Sequence, residues 1–398
     1  MDNKPTAKRG HRVRDDAKTT DRLFSLHELH TRHVYAKEIQ AEIQCLWGHG
    51  NFQLRAEHVA AVLATDAKNL RPGQDLSTRS FEHGGQTIPS PGPWDLNNNM
   101  RSIAPFCKHY MIHLANPRNN DTVSLPLRPR LEPSPEGDDV LPANSSFEVP
   151  ELYSDPDSDS EELLEQELRF TTLEELEDHY PDVDEKAKCL QRDKNVCIFM
   201  GTPDPIACHI IPYSWNDTKE HNNATGEVKW GGESLLSFSI DLDALHICNP
   251  LELGATDKAW NMVSLDRIEA TEGGKAKVTL QFWWMPQIKR RCGKAMDIIN
   301  TNDGNDWHTL IEELKEFHAR GNPSPILGGE MVRLITKSGA SLRSGHLIHL
   351  QMPEQDATRF KQAMEVQWTS ILFTSLSGAA GSPELLCLSD PEDGYESY

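Results

Sequence analysis

Apolar residues recur at helical spacing in the first part of the chain. Leucine, valine and isoleucine follow this spacing between Leu23 and Ile39, and again between Leu54 and Leu63. The two patterns predict a helical hairpin, which needs a partner surface to bury its apolar side. The residues before it are polar and rich in Lys and Arg. Residues 1–70 are therefore predicted to form a flexible basic arm followed by a helical hairpin.

The periodic pattern stops near residue 71. Pro, Gly, Asn and Ser dominate up to about residue 160, and residues 103–114 are the one short piece predicted to be ordered. Between Glu151 and Glu185 there are fifteen Asp or Glu and one Arg. Such a run is more often a solvated spacer than a binding motif. We therefore interpret residues 71–185 as a disordered linker with an acidic run, so that the N-terminal half is largely disordered.

The second half of the chain alternates between the period of strands and the period of helices. Strands are predicted at 195–200, 208–213, 278–284, 331–336 and 346–352, and amphipathic helices at 307–317 and 360–372. This order predicts an α+β fold. Residues 287–385 form its C-terminal α+β module, and residues 386–398 are predicted to be a disordered tail.

Charge and composition limit the classes of function. The net charge of -21 argues against a protein that coats nucleic acid non-specifically, although it leaves room for a local basic groove. None of the eight cysteines forms a CxxC pair, which fits reduced thiols and argues against a zinc ribbon. The chain has no run of 18 apolar residues and no secretory signal. The sequence thus predicts no membrane partner and a nuclear or cytoplasmic protein.

The main candidate for a functional site is the stretch between Cys189 and Ser214. This stretch is predicted to be two short strands joined by a Gly-Thr-Pro-Asp-Pro loop. His209 lies in the second strand, directly before Ile210 and Ile211. From spacing alone, such a histidine is more often a partly buried side chain satisfied by local hydrogen bonds than a catalytic group.

A family resemblance changes that interpretation. The residues of Arg192–Ser214 resemble the HNH-type (ββα-metal) nuclease domain found in a large family of fungal proteins. Trp260–Leu265 and Val278–Pro286 resemble later segments of that family, in the same order, as do short segments up to Ala380. The resemblance covers about residues 186–385, half of the chain, and it implies a ββα-metal-like HNH domain at 186–286.

The resemblance implies metal-dependent hydrolysis of phosphodiester bonds in DNA or RNA. His209 takes the role of general base on water, and Asn261 that of the residue that organises the loop between strand and helix. A divalent metal, Mg²⁺ or Zn²⁺, is the implied cofactor, because it offsets charge on the phosphate.

The chain departs from the family pattern after Asn261. The family carries a metal-binding histidine on a helix there, whereas this chain has none before His308, and Gly273-Gly274 would break such a helix. Cys208, directly before the general base, is a soft ligand that suits Mg²⁺ poorly. Either the site has degenerated, or a segment between Asp266 and Arg267 is missing from the coding sequence. The metal ligands therefore stay unassigned.

Two functional hypotheses follow. The first is an HNH nuclease family protein whose ancestral substrate is nucleic acid and whose metal site is incomplete in this chain. The second is a non-enzymatic scaffold, built on a degenerate HNH domain, that binds a protein partner. Whether the chain is an enzyme depends on which of the two is correct.

Overall fold

The structure of this protein is a computed structural model that describes most of two long stretches of the chain. The described residues are 23–46, 50–84, 86–115, 181–203, 205–236, 240–245, 247–248, 253–267, 276–286, 288–291, 293–300, 304–319, 326–327, 330–331, 335–336, 338–380 and 382–386. The acidic run before residue 181, the basic arm before residue 23 and the predicted tail from residue 387 lie outside them.

The described residues form seven α-helices and nine short strands. The helices are α1 (Leu26–Gln44), α2 (Ala56–Ala64), α3 (Pro93–Ala115), α4 (Val183–Arg192), α5 (Lys219–Leu235), α6 (Asp306–Ala319) and α7 (Glu354–Leu376). The strands are β1 (Phe81–His83), β2 (Gln86–Ile88), β3 (Val196–Cys197), β4 (Ala207–His209), β5 (Met262–Arg267), β6 (Ala276–Phe282), β7 (Ile326–Leu327), β8 (Glu330–Met331) and β9 (His346–Met352). Helices and small antiparallel sheets together confirm the predicted α+β class.

The strands pair into four small sheets. β3, β5 and β4 form a three-stranded sheet in that order, and the other pairs are β1–β2, β6–β9 and β7–β8. All pairs are antiparallel. On β6 and β9 the buried and exposed residues alternate, because one face of this ribbon lies against the core.

The first two helices form the predicted hairpin. Ser25 accepts a hydrogen bond from the backbone N–H of Glu28 and so caps α1. The buried side chain of Arg32 then donates to the carbonyl oxygens of Val62 and Thr65, at the C-terminal end of α2. A cation suits this position because the last carbonyls of a helix lack intrahelical partners. The required partner surface is supplied by α7 and α3, so that α2 is buried along its whole length.

Residues 71–115 differ from the predicted linker. They hold the β1–β2 hairpin and the 23-residue helix α3, of which only residues 103–114 had been predicted to be ordered. Pro93 begins the helix, where a missing N–H costs nothing. Pro105 lies inside it, yet Ile103, Phe106 and Tyr110 are fully buried. Burial of this apolar face offsets the backbone hydrogen bond that Pro105 cannot donate.

Helix α5 was not predicted, and it packs closely against α3. Its buried positions are mostly small or polar, and they include Gly231 and Gly232. A Cβ atom on Gly231 would lie 2.0 Å from the carbonyl oxygen of Ser102 in α3. The two helices therefore approach each other at a distance that only glycine permits at this position.

One continuous hydrophobic core joins these elements. It runs from Phe24 in the N-terminal segment to Leu386 near the end of the described chain. Trp215 is fully buried, and its ring contacts Phe106, His109 and Tyr110 of α3. Buried residues from α1 and α2, from residues 210–278 and from α6 and α7 thus share a single core. None of the described helices combines the length and apolar character needed to cross a bilayer.

The buried His58, in the first turn of α2, predicts a loss of stability in acid. Burial, with smaller contributions from the nearby Arg55 and Arg101, lowers the pKa of His58 from 6.5 to about 3. Below pH 6.5 the unfolded chain therefore binds a proton at this site and the folded state does not, so stability falls as the pH drops toward 3. We expect the free energy of unfolding, measured with urea, to fall by up to about 2 kcal/mol between pH 6.5 and pH 5 because of this histidine.

The His58→Gln variant serves as the reference for this measurement, because glutamine cannot take up the proton. Its free energy of unfolding should depend less steeply on pH than that of the natural protein. Equal slopes for the two proteins would contradict the assignment.

Candidate functional site

Strands β4 and β5 form an antiparallel pair, and the two strands predicted on either side of the Gly-Thr-Pro-Asp-Pro loop, β3 and β4, both pair with β5 rather than with each other. His209 is the last residue of β4 and lies opposite Met262, the first residue of β5, while Cys208 lies opposite Val263. The loop between the two strands contains a 3₁₀ turn, α5 and a second 3₁₀ turn that ends at Asn261. Both predicted site residues therefore lie at the same end of the β4–β5 pair.

Asn261 fixes the chain on either side of this loop. Its side chain is fully buried, and its Oδ1 accepts from the backbone N–H of Ile211 at 2.9 Å. Its Nδ2 donates to the carbonyl oxygens of Ile211 and Thr256, both at 2.8 Å. The backbone of Asn261 also accepts from the N–H of Ile210. These three hydrogen bonds of the amide all go to backbone atoms near the loop ends, which fits a loop organiser rather than a group that touches substrate.

His209 is paired with a buried carboxylate that the sequence analysis did not find. Its Nε2 lies 2.7 Å from Oδ1 of Asp257, whose side chain is 0% exposed, while the side chain of His209 itself is 22% exposed. With the proton on Nε2, the imidazole donates to the carboxylate and keeps a lone pair on Nδ1. The pair therefore combines a carboxylate that is shielded from water with an imidazole whose side chain is partly exposed.

A carboxylate in this position has two chemical effects. It holds the imidazole in one tautomer and one orientation, and it stabilises the imidazolium that forms when Nδ1 takes a proton. The ring of Tyr213 lies beside the imidazole, with centroids 5.6 Å apart, and limits its rotation. The arrangement can thus act as a general base on a water molecule or hydroxyl group.

Helix α4 lies against the loop that carries Asp257. The backbone N–H of Asp182, the N-cap residue of α4, donates to Oδ2 of Asp257. Oε2 of Glu185 accepts from the N–H of Ala259 at 2.8 Å. Arg192 donates to the carbonyl oxygens of Ala259 and Met262, both at 2.7 Å. The loop is therefore bound by the helix at several backbone positions.

Within the described part of the chain, the donor groups do not fit the divalent metal implied by the resemblance. Among the residues that the structure describes, no three His, Cys, Asp or Glu side chains form a group that could hold a metal ion. Burial, with a further contribution from Cys197, raises the pKa of the Cys208 thiol, and sulfur is a soft ligand that suits Mg²⁺ poorly. Residues 268–275, which follow β5, lie outside the described residues, so the third element of a ββα unit is not seen.

The basic residues that follow β6 are engaged by acidic residues of α6 and its first turn. Arg291 is 7% exposed and binds Glu313 through two nitrogens, and Lys294 pairs with Asp306 at 2.9 Å. Glu313 also lies within 3.9 Å of Lys289. These pairs offset part of the positive charge of the cluster, of which Lys289 and Arg290 stay exposed.

Asp257 gave little sign of its role in the sequence. It is one of 61 acidic residues, and it lies 48 positions after His209. The only available signal was its place four residues before Asn261, because a loop that brings Asn261 to Ile211 also brings its neighbours close to His209.

No family model, curated protein or solved structure matches this chain.

Proposed function

We propose that this protein hydrolyses phosphodiester bonds in nucleic acid, as a member of the HNH nuclease family, with His209 as the general base. The observation that carries the proposal is the 2.7 Å contact between Nε2 of His209 and the buried carboxylate of Asp257. It is supported by Asn261, whose hydrogen bonds hold the loop in the way that the resemblance implies.

The proposed reaction uses His209 and Asp257 together. Nδ1 of His209 takes a proton from water as the water oxygen attacks phosphorus, and the bond from phosphorus to the leaving oxygen breaks. The leaving oxygen takes a proton from solvent water and His209 returns its proton to solvent, so the products are one phosphate monoester and one hydroxyl end. Asp257 stabilises the imidazolium formed in this step, and burial strengthens the interaction because water does not screen it.

Removal of either partner should slow the cleavage of a nucleic acid. We expect His209→Ala to lower the rate of plasmid nicking by about 10²-fold or more, because a positioned general base contributes a factor of this order. Asp257→Asn keeps the shape of the side chain but removes its charge, and should also lower the rate at least about 10-fold. The assay measures conversion of supercoiled plasmid without added metal and with Mg²⁺, Mn²⁺ or Zn²⁺.

The matched control is His308→Ala. His308 is an exposed histidine of α6, distant from the pair in the chain, and its removal should leave nicking unchanged. Nicking that survives in both His209→Ala and Asp257→Asn would show that this pair is not the catalytic group.

A non-enzymatic scaffold is the second candidate. The scaffold hypothesis is favoured by the side chains available to bind a metal, because the described His, Cys, Asp and Glu residues form no group that could hold the metal that the family uses. In that case the natural protein would cut neither plasmid nor RNA under any metal condition, and calorimetry would detect no bound divalent ion. A protein partner would then be the ligand to seek.

A further inference from the structure

We infer that helix α4 is the positioning element of the His209–Asp257 pair, and that Glu185 and Arg192 are its positioning residues. The catalytic meaning of this inference rests on the proposed function, whereas its structural part does not. Neither residue touches the imidazole. Both act through the backbone of residues 257–262, the loop that delivers Asp257 to His209.

The first contact is made at the beginning of the helix. Asp182 caps α4, since its Oδ1 accepts from the backbone N–H groups of Asp184 and Glu185. The backbone N–H of Asp182 also donates to Oδ2 of Asp257, while Oδ1 of Asp257 accepts from His209. The two oxygens of one carboxylate are therefore divided between the helix and the imidazole.

The second contact lies one turn further along. Oε2 of Glu185 accepts from the N–H of Ala259 at 2.8 Å, and its Oε1 pairs with Lys188 at 2.7 Å. Ala259 is only two residues after Asp257. A bond at this position limits how far the Asp257 backbone can move away from His209.

The third contact is a pair of hydrogen bonds from Arg192, at the end of the helix, to the loop backbone. Arg192 donates to the carbonyl oxygens of Ala259 and Met262, which lie on either side of Asn261. Its guanidinium is held in place by two 2.6 Å bonds to Asp193, and it packs over the ring of Phe360. A planar, five-donor group is needed here, because a lysine could not reach both carbonyls while also pairing with a carboxylate.

Most of the remaining surface of α4 is exposed. Cys189 is the only residue of the helix that is buried, and Val183 at its start is 77% exposed. The helix is thus attached mainly by polar contacts, and segments with few buried apolar contacts open more readily than the core. Loss of one such contact should shift the position of the loop without unfolding the protein.

The test compares substitutions of Glu185 with a neighbour on the same helix. Glu185→Ala removes the bond to Ala259, Glu185→Gln keeps an oxygen that can accept it, and exposed Lys186→Ala is the control. The direct measurement is the NMR resonance of the His209 Nε2 proton, which is shifted strongly downfield while it is bonded to the carboxylate. We expect Glu185→Ala to weaken or broaden this resonance, and both other variants to keep it.

Activity provides the second measurement. Plasmid nicking should fall about 10-fold in Glu185→Ala, because small displacements of a catalytic group cost factors of this size, and it should recover in Glu185→Gln. Circular dichroism and thermal unfolding establish that each variant is folded. Should Glu185→Ala upset folding, Arg192→Lys replaces it, with the same resonance as the measurement.

The outcomes separate the two proposals. An unchanged Nε2 proton resonance in folded Glu185→Ala and Arg192→Lys would overturn the positioning role of α4, whatever the activity. If the resonance weakens or broadens in Glu185→Ala as expected, but the natural protein cuts no nucleic acid, the positioning role is supported and the proposed function is rejected.

Discussion

Replacing Gly231 by alanine is expected to destabilise this protein by more than about 3 kcal/mol, at the upper end of what overpacking costs. The added Cβ would lie 2.0 Å from the carbonyl oxygen of Ser102, 2.7 Å from its carbonyl carbon and 3.1 Å from Cβ of Phe106. The first two are backbone atoms of α3, so no side-chain rotation can relieve the clash. α3 and α5 would have to separate, and the packing of Phe106 against Trp215 would loosen with them.

Gly226→Ala is the matched control, since both glycines lie inside α5. A Cβ on Gly226 meets nothing closer than Cβ of Cys248, at 3.9 Å, and the position is exposed. This substitution should be neutral or stabilising by about 0.5–1 kcal/mol, because alanine has less freedom to lose in a helix. Urea unfolding of the two variants measures the difference, and similar stabilities would show that the helices are not in such close contact.

The second large effect is expected at Asn261. Asn261→Ala leaves the N–H of Ile211 and the carbonyls of Ile211 and Thr256 without their bonds to the amide, in a region that is fully closed to water. Each buried polar group that loses its partner costs about 1–3 kcal/mol, so we expect a loss of roughly 3 kcal/mol or more. The same change should displace Asp257 and abolish nicking, because the loop end is no longer fixed.

The Asn261→Asp variant tests the hydrogen bonds that Nδ2 of Asn261 donates. Aspartate has the same shape, but it has no N–H to donate to the two carbonyls, and it brings a charge into a buried site. It should therefore be at least as harmful as alanine. The control is Asn223→Ala on the exposed side of α5, which should change the stability by less than about 0.5 kcal/mol. A stable Asn261→Asp variant would contradict the hydrogen-bond assignment.

Most elements with a clear apolar period were predicted from the sequence. The predicted strand at 346–352 coincides with β9, and the predicted helices at 307–317 and 360–372 lie inside α6 and α7. Helix α5 was missed because its buried side is made of residues such as Asn222, Thr225 and Gly231, which carry no hydrophobic signal. Strand β3 is shorter than predicted, since the turn that begins at Ile198 ends it after two residues.

The candidate site was predicted only in part. The sequence indicated that His209 lies on a strand and that Asn261 organises a loop, and the structure places both at one end of the β4–β5 pair. Asp257 was missed because its contact with His209 depends on a long loop whose path no local pattern encodes. The roles of Glu185 and Arg192 were missed for the same reason, since they bind backbone atoms about 70 residues away.

The shared core has a consequence for the segment between Ala115 and Pro181. Helix α3 precedes it and helix α5 follows it, yet the two pack against each other more extensively than any other pair of described elements. The segment therefore lies in a chain loop whose two ends, α3 and α5, are held together by the core. The entropy of ring closure changes only with the logarithm of the number of residues enclosed. Related chains could consequently gain or lose many residues in this connection while the fold, and the distance between His209 and Asp257, stay the same.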